Sequence, residues 1–213
     1  DAYEELTGVR PQVVTNATPY VDIKPTDVHS PIRLVHHGAA LPDRDLGLLI
    51  DAVIAAGADV EMDMYLMFNH PEYVEQLRVS IRVLDGVPYS ELVDTLNQYD
   101  VGFFILAPTT FSYRQALPNK FFDFVQARLG VIVGPSPEMA RIVDQYGLGL
   151  VTQGFMAEDG ARAIKSLTPQ KVAQWKDAAN AHAYQLSAGP QLEVWREVMG
   201  RILDGNLGLS ARF

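Results

Sequence analysis

The sequence predicts an α/β protein with a single Rossmann-like, doubly wound parallel sheet of about six strands and helices on both faces. Short apolar segments alternate about six times with segments whose apolar residues recur every three to four positions. This alternation is typical of a parallel sheet, because a helix joins each strand to the next and packs on the sheet. Residues 101–106 and 131–133 are apolar without interruption, so we expect them to form central strands.

Composition and charge narrow the classes of function. The chain has 213 residues, of which 48% are hydrophobic, and a net charge of -9. These values indicate a folded, soluble domain and do not favour extended binding to nucleic acid or to anionic membranes. The chain has no cysteine and no apolar run that approaches the ~20 residues of a membrane span. We therefore expect a cytoplasmic protein without a transmembrane segment or a thiolate metal site.

Prolines near the start of the chain indicate a connecting segment. Four of them surround one short apolar piece, so we expect residues 1–30 to lead into a domain that spans residues 31–190. Residues 191–213 are expected to form a C-terminal helix and tail. Because the chain begins at Asp1, we expect it to be part of a longer protein, although removal of an initiator methionine would give the same start.

The first half of the domain contains three predicted strands and the helices that join them. Residues 32–35 form an apolar strand, and Asp43 opens a helix with apolar residues at helical spacing. In residues 60–68 apolar and polar side chains alternate, which is typical of a strand near a sheet edge. The remaining elements are a helix at residues 72–77 and a strand at residues 79–84.

The second half continues the alternation, with a loop at residues 107–118 before its longest apolar helix. Ligands of doubly wound sheets bind at the carboxyl ends of the strands, so the loops that follow the strands are the candidate site. The predicted strands lie at residues 101–106, 131–133 and 149–152, and the predicted helices at residues 89–99, 119–130, 138–146, 159–166, 169–184 and 191–203.

The helix that follows Pro118 combines a buried face with a pattern of charges. Pro118 restricts the residue before it, and Asn119 can cap the free amides of a helix start. Lys120 and Asp123 share one side of the first turn. The helix start and the lysine favour an anion, and the carboxylate offers an acceptor for sugar hydroxyls, as in a nucleotide-sugar site. The alternative is an acid that compensates the helix dipole beside a surface lysine.

The loop after the first strand is a second candidate site. Gly38 lets the backbone approach a phosphate, and Arg44 can contact a diphosphate through its forked guanidinium group. A surface ion pair with a neighbouring aspartate is the alternative for Arg44. His36 and His37 suggest a metal, but neighbouring strand residues point to opposite faces, so we expect both to pack at the strand end.

Glu61 and Asp63 form a further metal candidate, an acidic pair of the kind that metal-dependent sugar transferases use. Their positions inside the alternating strand favour a solvated sheet face instead. We therefore predict no metal site and no cofactor.

The order and spacing of these motifs resemble the C-terminal, donor-binding domain of GT-B glycosyltransferases, especially those of retaining family 4. The similar features are Gly38 with Arg44 six residues later, a turn at residues 84–92, a strand at residues 100–104, and the Pro-Asn-Lys helix with an acid and a strand after it. The resemblance extends over about residues 13–151.

The resemblance implies roles in binding a nucleoside-diphosphate sugar. Arg44 and Lys120 would hold the donor diphosphate and stabilise its charge as it departs, which makes them the catalytic residues. Asp123 would bind the ribose hydroxyls, and the turn after the third strand would lie against the base. This chain has Ala39 where the family usually has an arginine, and Gln115 where it usually has a glutamate that contacts the donor sugar. The donor-binding set implied in this way is Gly38, Arg44, Val87, Pro88, Gln115, Asn119, Lys120 and Asp123.

Three functions are compatible with these observations. The first is the donor-binding part of a retaining glycosyltransferase of polysaccharide biosynthesis, which would transfer a hexosyl group from a nucleoside-diphosphate sugar. An N-terminal domain of the same longer chain would bind the acceptor, so this part alone would turn over poorly or not at all. The second is a nucleotide-sugar epimerase of the same architecture, and the third is a non-catalytic nucleotide- or protein-binding module.

Overall fold

The computed structural model describes residues 2–10, 13–67 and 70–203. Within them, six strands form one sheet in the order β3-β2-β1-β4-β5-β6, and every neighbouring pair is parallel. This is the strand order of a doubly wound sheet, in which the direction of winding changes between β1 and β4. The predicted fold class is therefore confirmed. The strands are β1 (Ile32–Ala39), β2 (Val60–Met67), β3 (Arg82–Asp85), β4 (Val101–Phe104), β5 (Gly130–Val133) and β6 (Gly149–Val151).

Helices cover both faces of the sheet. Successive residues of a strand point to opposite faces, and Leu34 and Val35 of β1 accordingly belong to two separate apolar clusters. The cluster with Leu34 also contains residues of α2, α3 and α8, and the other contains residues of α4, α6, α7 and α9. The helices are α1 (Ala2–Thr7), α2 (Gly47–Ala56), α3 (Pro71–Arg78), α4 (Tyr89–Leu96), α5 (Phe111–Arg114), α6 (Asn119–Gln126), α7 (Pro137–Tyr146), α8 (Ala157–Lys165), α9 (Pro169–His182) and α10 (Ala188–Leu203).

The positions of three strands follow the sequence prediction. Strands β4 and β5 are buried along their whole length and have a neighbour on each side. Strand β2, with its alternating pattern, lies next to the edge strand β3. Position 68, which was expected to end β2, lies outside the described residues, as do residues 204–213 of the expected C-terminal tail. The boundaries of the predicted domains stay a prediction.

Several predicted element boundaries are wrong for local reasons. Strand β3 begins at Arg82 rather than at residue 79, because α3 continues to Arg78 and Val79 ends its last turn. A short 3-10 helix, Pro42–Arg44, stands where Asp43 was expected to open a helix, and α2 begins only at Gly47. The expected loop at residues 107–118 contains α5.

Helix α6 also differs from its prediction at both ends. It stops at Gln126 instead of Gly130, because Arg128 adopts a left-handed conformation with a φ of 61° and the amide of Leu129 turns back to donate to the carbonyl of Phe124. Asn119 does not cap the helix start. Its side-chain oxygen instead accepts a hydrogen bond of 3.1 Å from the amide group of Asn16.

Candidate functional site

A cleft with a volume of about 470 Å³ opens at the carboxyl ends of β1, β2 and β3. Loops that follow parallel strands emerge at one edge of the sheet, which brings the 3-10 helix and the starts of α4 and α6 together there. The volume falls within the ~300–1,000 Å³ that is typical of small-molecule sites. The cleft is lined by His37, Gly38, Ala39, Arg44, Tyr65, Met67, Gly86, Val87, Tyr89, Leu92, Pro118, Asn119, Lys120 and Asp123.

Most of the predicted site residues line this cleft, and two do not. Pro88 is exposed and stands at the N-cap of α4, directly after the lining residue Val87. Gln115 is exposed at the end of α5, where its backbone amide donates to the carbonyl of Phe111. The structure therefore does not bring Gln115 to the cleft, and its contact with a donor sugar stays a prediction. The predicted residues that do meet there are Gly38, Arg44, Val87, Asn119, Lys120 and Asp123.

Lys120 is a buried cation in the first turn of α6. Only 6% of the residue is exposed, and its Nζ lies 3.1 Å from Nε2 of His36 and 4.6 Å from the ring centroid of Phe104. Within the described ranges, no carboxylate forms an ion pair with Lys120. Burial first, and then the nearby charge of Arg44, lowers the pKa of Lys120 to about 7, while Asp123 acts in the opposite direction.

Arg44 is the second cation of the cleft. It follows β1 in the 3-10 helix, and its buried Nε has no hydrogen-bond partner among the described residues. The surface ion pair considered for Arg44 is absent from the described part of the chain, since Asp43 instead accepts a hydrogen bond of 2.6 Å from the hydroxyl of Tyr113. Buried polar groups are usually paired, and the Nε of Arg44 is an exception. Arg44 can therefore bind an anion that enters the cleft.

Asp123 lines the cleft and has one hydrogen-bonded oxygen, while the buried Nε2 of His37 near its other oxygen has no hydrogen-bond partner among the described residues. Its Oδ1 accepts a hydrogen bond of 2.6 Å from the hydroxyl of Thr18, and its Oδ2 lies 3.4 Å from Nε2 of His37. Burial raises the pKa of Asp123, while the Thr18 hydroxyl and Lys120 act against this shift. Burial and then Lys120 lower the pKa of His37 to about 3, so His37 is neutral near pH 7 and its contact with Asp123 is no ion pair.

Thr18 was not found from the sequence. It lies 105 positions before Asp123, in the connecting segment, and nothing in the sequence connects it with the candidate site. The same segment also contacts α6 through Asn16 and through Val21, whose amide donates to Gln126. The connecting segment therefore stabilises, through these hydrogen bonds, the position of the helix that carries Lys120 and Asp123.

The two residues of the acidic pair that was considered as a metal candidate have other partners. Asp63 is 4% exposed, where a solvated position was expected, and it pairs with Arg82 while accepting a hydrogen bond of 2.5 Å from the hydroxyl of Tyr99. Glu61 lies 3.4 Å from Arg33 across the surface. In the part of the chain that the structure describes, no group of three or more His, Cys, Asp or Glu residues could hold a metal ion.

Comparisons with known proteins identify the fold. No protein-family model and no curated protein matches the sequence, but solved structures match it. A glycosyltransferase from Rickettsia africae has a TM-score of 0.68 and 13% identity, over 84% of this chain and 49% of that one. WaaG, a glycosyltransferase involved in lipopolysaccharide biosynthesis, has a TM-score of 0.65 and 13% identity, over 92% of this chain and 59% of that one. The chain has the fold of a GT-B glycosyltransferase domain.

A third structure of this fold contains a nucleotide sugar. Anabaena HepE in complex with UDP-glucose has a TM-score of 0.65 and 15% identity, over 79% of this chain and 48% of that one. The chain thus spans about half the length of the GT-B structures that it matches. Its resemblance to GT-B enzymes is confirmed at the level of fold. No helix within the described residues is both long and apolar enough to cross a membrane.

Proposed function

We propose that the chain is the nucleotide-sugar donor-binding part of a glycosyltransferase. The observation that supports this most directly is the convergence of Arg44 and Lys120 on one cleft, where neither has a carboxylate ion pair among the described residues. A diphosphate would supply the negative charge that no carboxylate supplies to these two cations. Guanidinium and ammonium groups are the usual ligands of a diphosphate. The UDP-glucose in HepE, a protein of the same fold, is consistent with this ligand class.

Each group around the cleft has a role in the proposed complex. Arg44 and Lys120 hold the diphosphate, Asp123 accepts hydrogen bonds from the ribose, and the apolar side of the cleft with Val87 receives the base. The two cations then stabilise the charge that develops on the diphosphate when the bond to the sugar breaks. We propose retaining transfer of a hexosyl group, with the acceptor bound by an N-terminal domain of a longer chain.

Calorimetric titration with UDP, GDP and TDP tests the proposal. We expect the unmodified chain to bind at least one of them. A charge-assisted hydrogen bond is worth ~1.5–3 kcal/mol, so Lys120→Met or Arg44→Ala should weaken binding roughly ten- to a hundredfold. Lys165→Met is the control, because Lys165 is exposed on α8 and does not line the cleft. Equal effects of all three substitutions would contradict the proposed site.

A non-catalytic binding module is the second candidate function. It is favoured by Ala39 and Gln115, which replace the charged residues usual in family 4, and by the position of Gln115 outside the cleft. Failure of the unmodified chain to bind UDP, GDP and TDP would favour this module over the donor-binding domain. Binding that depends on Arg44 and Lys120 would count against a module that recognises only protein.

A further inference from the structure

We propose that His36 is a positioning residue that directs the ammonium group of Lys120 toward the cleft without neutralising its charge. This inference rests on the proposed function, because it concerns how the lysine that binds the diphosphate is held. His36 does not line the cleft and would act on the ligand only through Lys120.

The two ring nitrogens of His36 have different partners. Nδ1 lies 3.1 Å from the carbonyl oxygen of Phe103, and Nε2 lies 3.1 Å from Nζ of Lys120. A carbonyl oxygen only accepts and an ammonium group only donates. Both contacts are therefore satisfied by one form of the ring, in which Nδ1–H donates to Phe103 and Nε2 accepts from Lys120.

The electrostatics favour this neutral form. His36 is fully buried, and burial first and Lys120 next lower the pKa of His36 well below its usual 6.5. A neutral ring holds one of the three N–H groups of the ammonium and leaves its positive charge uncompensated. The charge can then act on an anion that enters the cleft.

Lys176 shows how this chain holds a lysine whose role is structural. Lys176 is also buried, but its Nζ lies 3.2 Å from Oδ1 of Asp100 and donates to the carbonyl of Tyr99 and the hydroxyl of Thr26. Its charge is paired and its donors are used within the protein. Lys120 instead has a neutral ring nitrogen, an aromatic face and an open cleft around it.

The groups that face Lys120 determine how it responds when this acceptor is lost. They are His36 and His37 on β1, Arg44 in the 3-10 helix and Asp123 on α6. Removal of an acceptor disfavours the charged form of an amine, so loss of the His36 acceptor should lower the pKa of Lys120 below its value of about 7. Less of the lysine is then charged near neutral pH.

Two substitutions separate the roles of the ring nitrogens. In His36→Gln, the longer amide can place an acceptor where Nε2 lies, whereas in His36→Asn the shorter amide keeps a donor for Phe103 but does not reach Lys120. With inorganic pyrophosphate as the probe near pH 7.5, we expect His36→Asn to weaken binding about three- to tenfold and His36→Gln to restore most of it. Near pH 6, where lysine is recharged, the deficit of His36→Asn relative to the unmodified chain should shrink.

A double substitution tests whether His36 acts through Lys120. In a Lys120→Met background, His36→Asn should cause no further loss of pyrophosphate binding. A further loss there, or equal losses for Gln and Asn at both pH values, would show that His36 acts through the fold and would overturn the inference.

The positioning role of His36 can also be tested if the chain does not bind a nucleotide. If the unmodified chain binds none of UDP, GDP, TDP and pyrophosphate, the donor-binding proposal is wrong, and the pKa of Lys120 is then followed directly by ¹³C NMR of its ε-carbon. A lower pKa in His36→Asn, restored in His36→Gln, supports the positioning role, and an unchanged pKa overturns it.

Discussion

The Nζ of Lys120 lies 3.3 Å from the point that a Cβ on Gly38 would occupy, at a residue whose φ is 118°. L-residues with a side chain rarely adopt such a φ, and the approach is closer than an ordinary van der Waals contact. Gly38 therefore permits both the positive φ near the end of β1 and the position of the ammonium group beside it.

Gly38→Ala should affect stability and ligand binding together. Backbone strain at this φ is expected to lower the free energy of unfolding by about 1–3 kcal/mol, and the new methyl group should displace Lys120 and weaken UDP binding. Urea unfolding and calorimetry measure the two effects. Gly57→Ala is the matched control, because Gly57 has a φ of 54° with no atom within 4 Å of an added Cβ; it should lose stability and keep its affinity. Unchanged affinity in Gly38→Ala would contradict this account.

Lys120→Met should stabilise the ligand-free protein most strongly at or below neutral pH. The pKa of Lys120 is about 7 in the folded chain and near its usual 10.5 in the unfolded chain, so the unfolded state binds more protons between these values and stability rises with pH. The destabilisation of the folded state by the buried charge of Lys120 is thus greatest below pH 7 and declines toward pH 10. Each pKa unit corresponds to about 1.4 kcal/mol, and the lost contacts with His36 and Phe104 offset part of the gain.

Denaturant unfolding at several pH values measures this difference, and Lys176→Met provides the contrast. Removal of Lys176 breaks its buried ion pair with Asp100, and loss of one partner of such a pair typically costs about 3–5 kcal/mol. The two substitutions remove the same charge from buried positions and should change stability in opposite directions. Destabilisation by Lys120→Met at neutral pH would indicate that the fold needs this ammonium group.

Asp123→Asn should weaken binding of UDP much more than binding of its 2′,3′-dideoxy analogue. In the proposed complex the carboxylate accepts from both ribose hydroxyls, and loss of a charge-assisted hydrogen bond lowers affinity roughly tenfold or more. Lys120→Met should weaken both ligands alike, because the proposed function places Lys120 against the diphosphate, which both ligands contain. If Asp123→Asn keeps full UDP affinity and only lowers the melting temperature, the carboxylate serves the contacts with Thr18 and His37 instead.

Helix α10 carries several exposed apolar side chains. Trp195 is 52% exposed and Val198 is half-buried, and Leu192, Met199 and Ile202 are exposed on the same helix. A contiguous apolar surface of this kind is typical of an interface. We expect the preceding domain of a longer chain to cover it, and we expect this chain alone to bind an apolar fluorescent dye there.

Trp195→Glu should reduce the dye signal and any self-association seen by sedimentation velocity. Val79→Glu is the control, since Val79 is 86% exposed in the turn after α3 and away from α10. Equal effects of the two substitutions would contradict a specific interface on α10.

The sequence by itself determined the succession of the six strands and of the helices that join them, but not α1 or α5. Unbroken apolar runs placed β4 and β5 at the centre, and Gly147, with a φ of 63°, ends α7 where the sequence predicted. These signals are local, because a buried strand needs apolar residues along its whole length and a left-handed helix end favours glycine. Their positions after predicted strands also placed Arg44, Lys120 and Asp123 near the carboxyl ends of the strands.

Only the tertiary structure decided how the polar residues are paired. Asn119 contacts Asn16 instead of capping its own helix, Asp123 accepts from Thr18, and Asp63 is buried against Arg82 rather than solvated. Partners that lie up to 105 positions apart leave no periodic pattern, since a hydrogen bond depends on the distance and angle of two groups that only folding brings together. The same holds for His36, whose buried Nε2 lies 3.1 Å from Nζ of Lys120, a residue 84 positions away in the sequence.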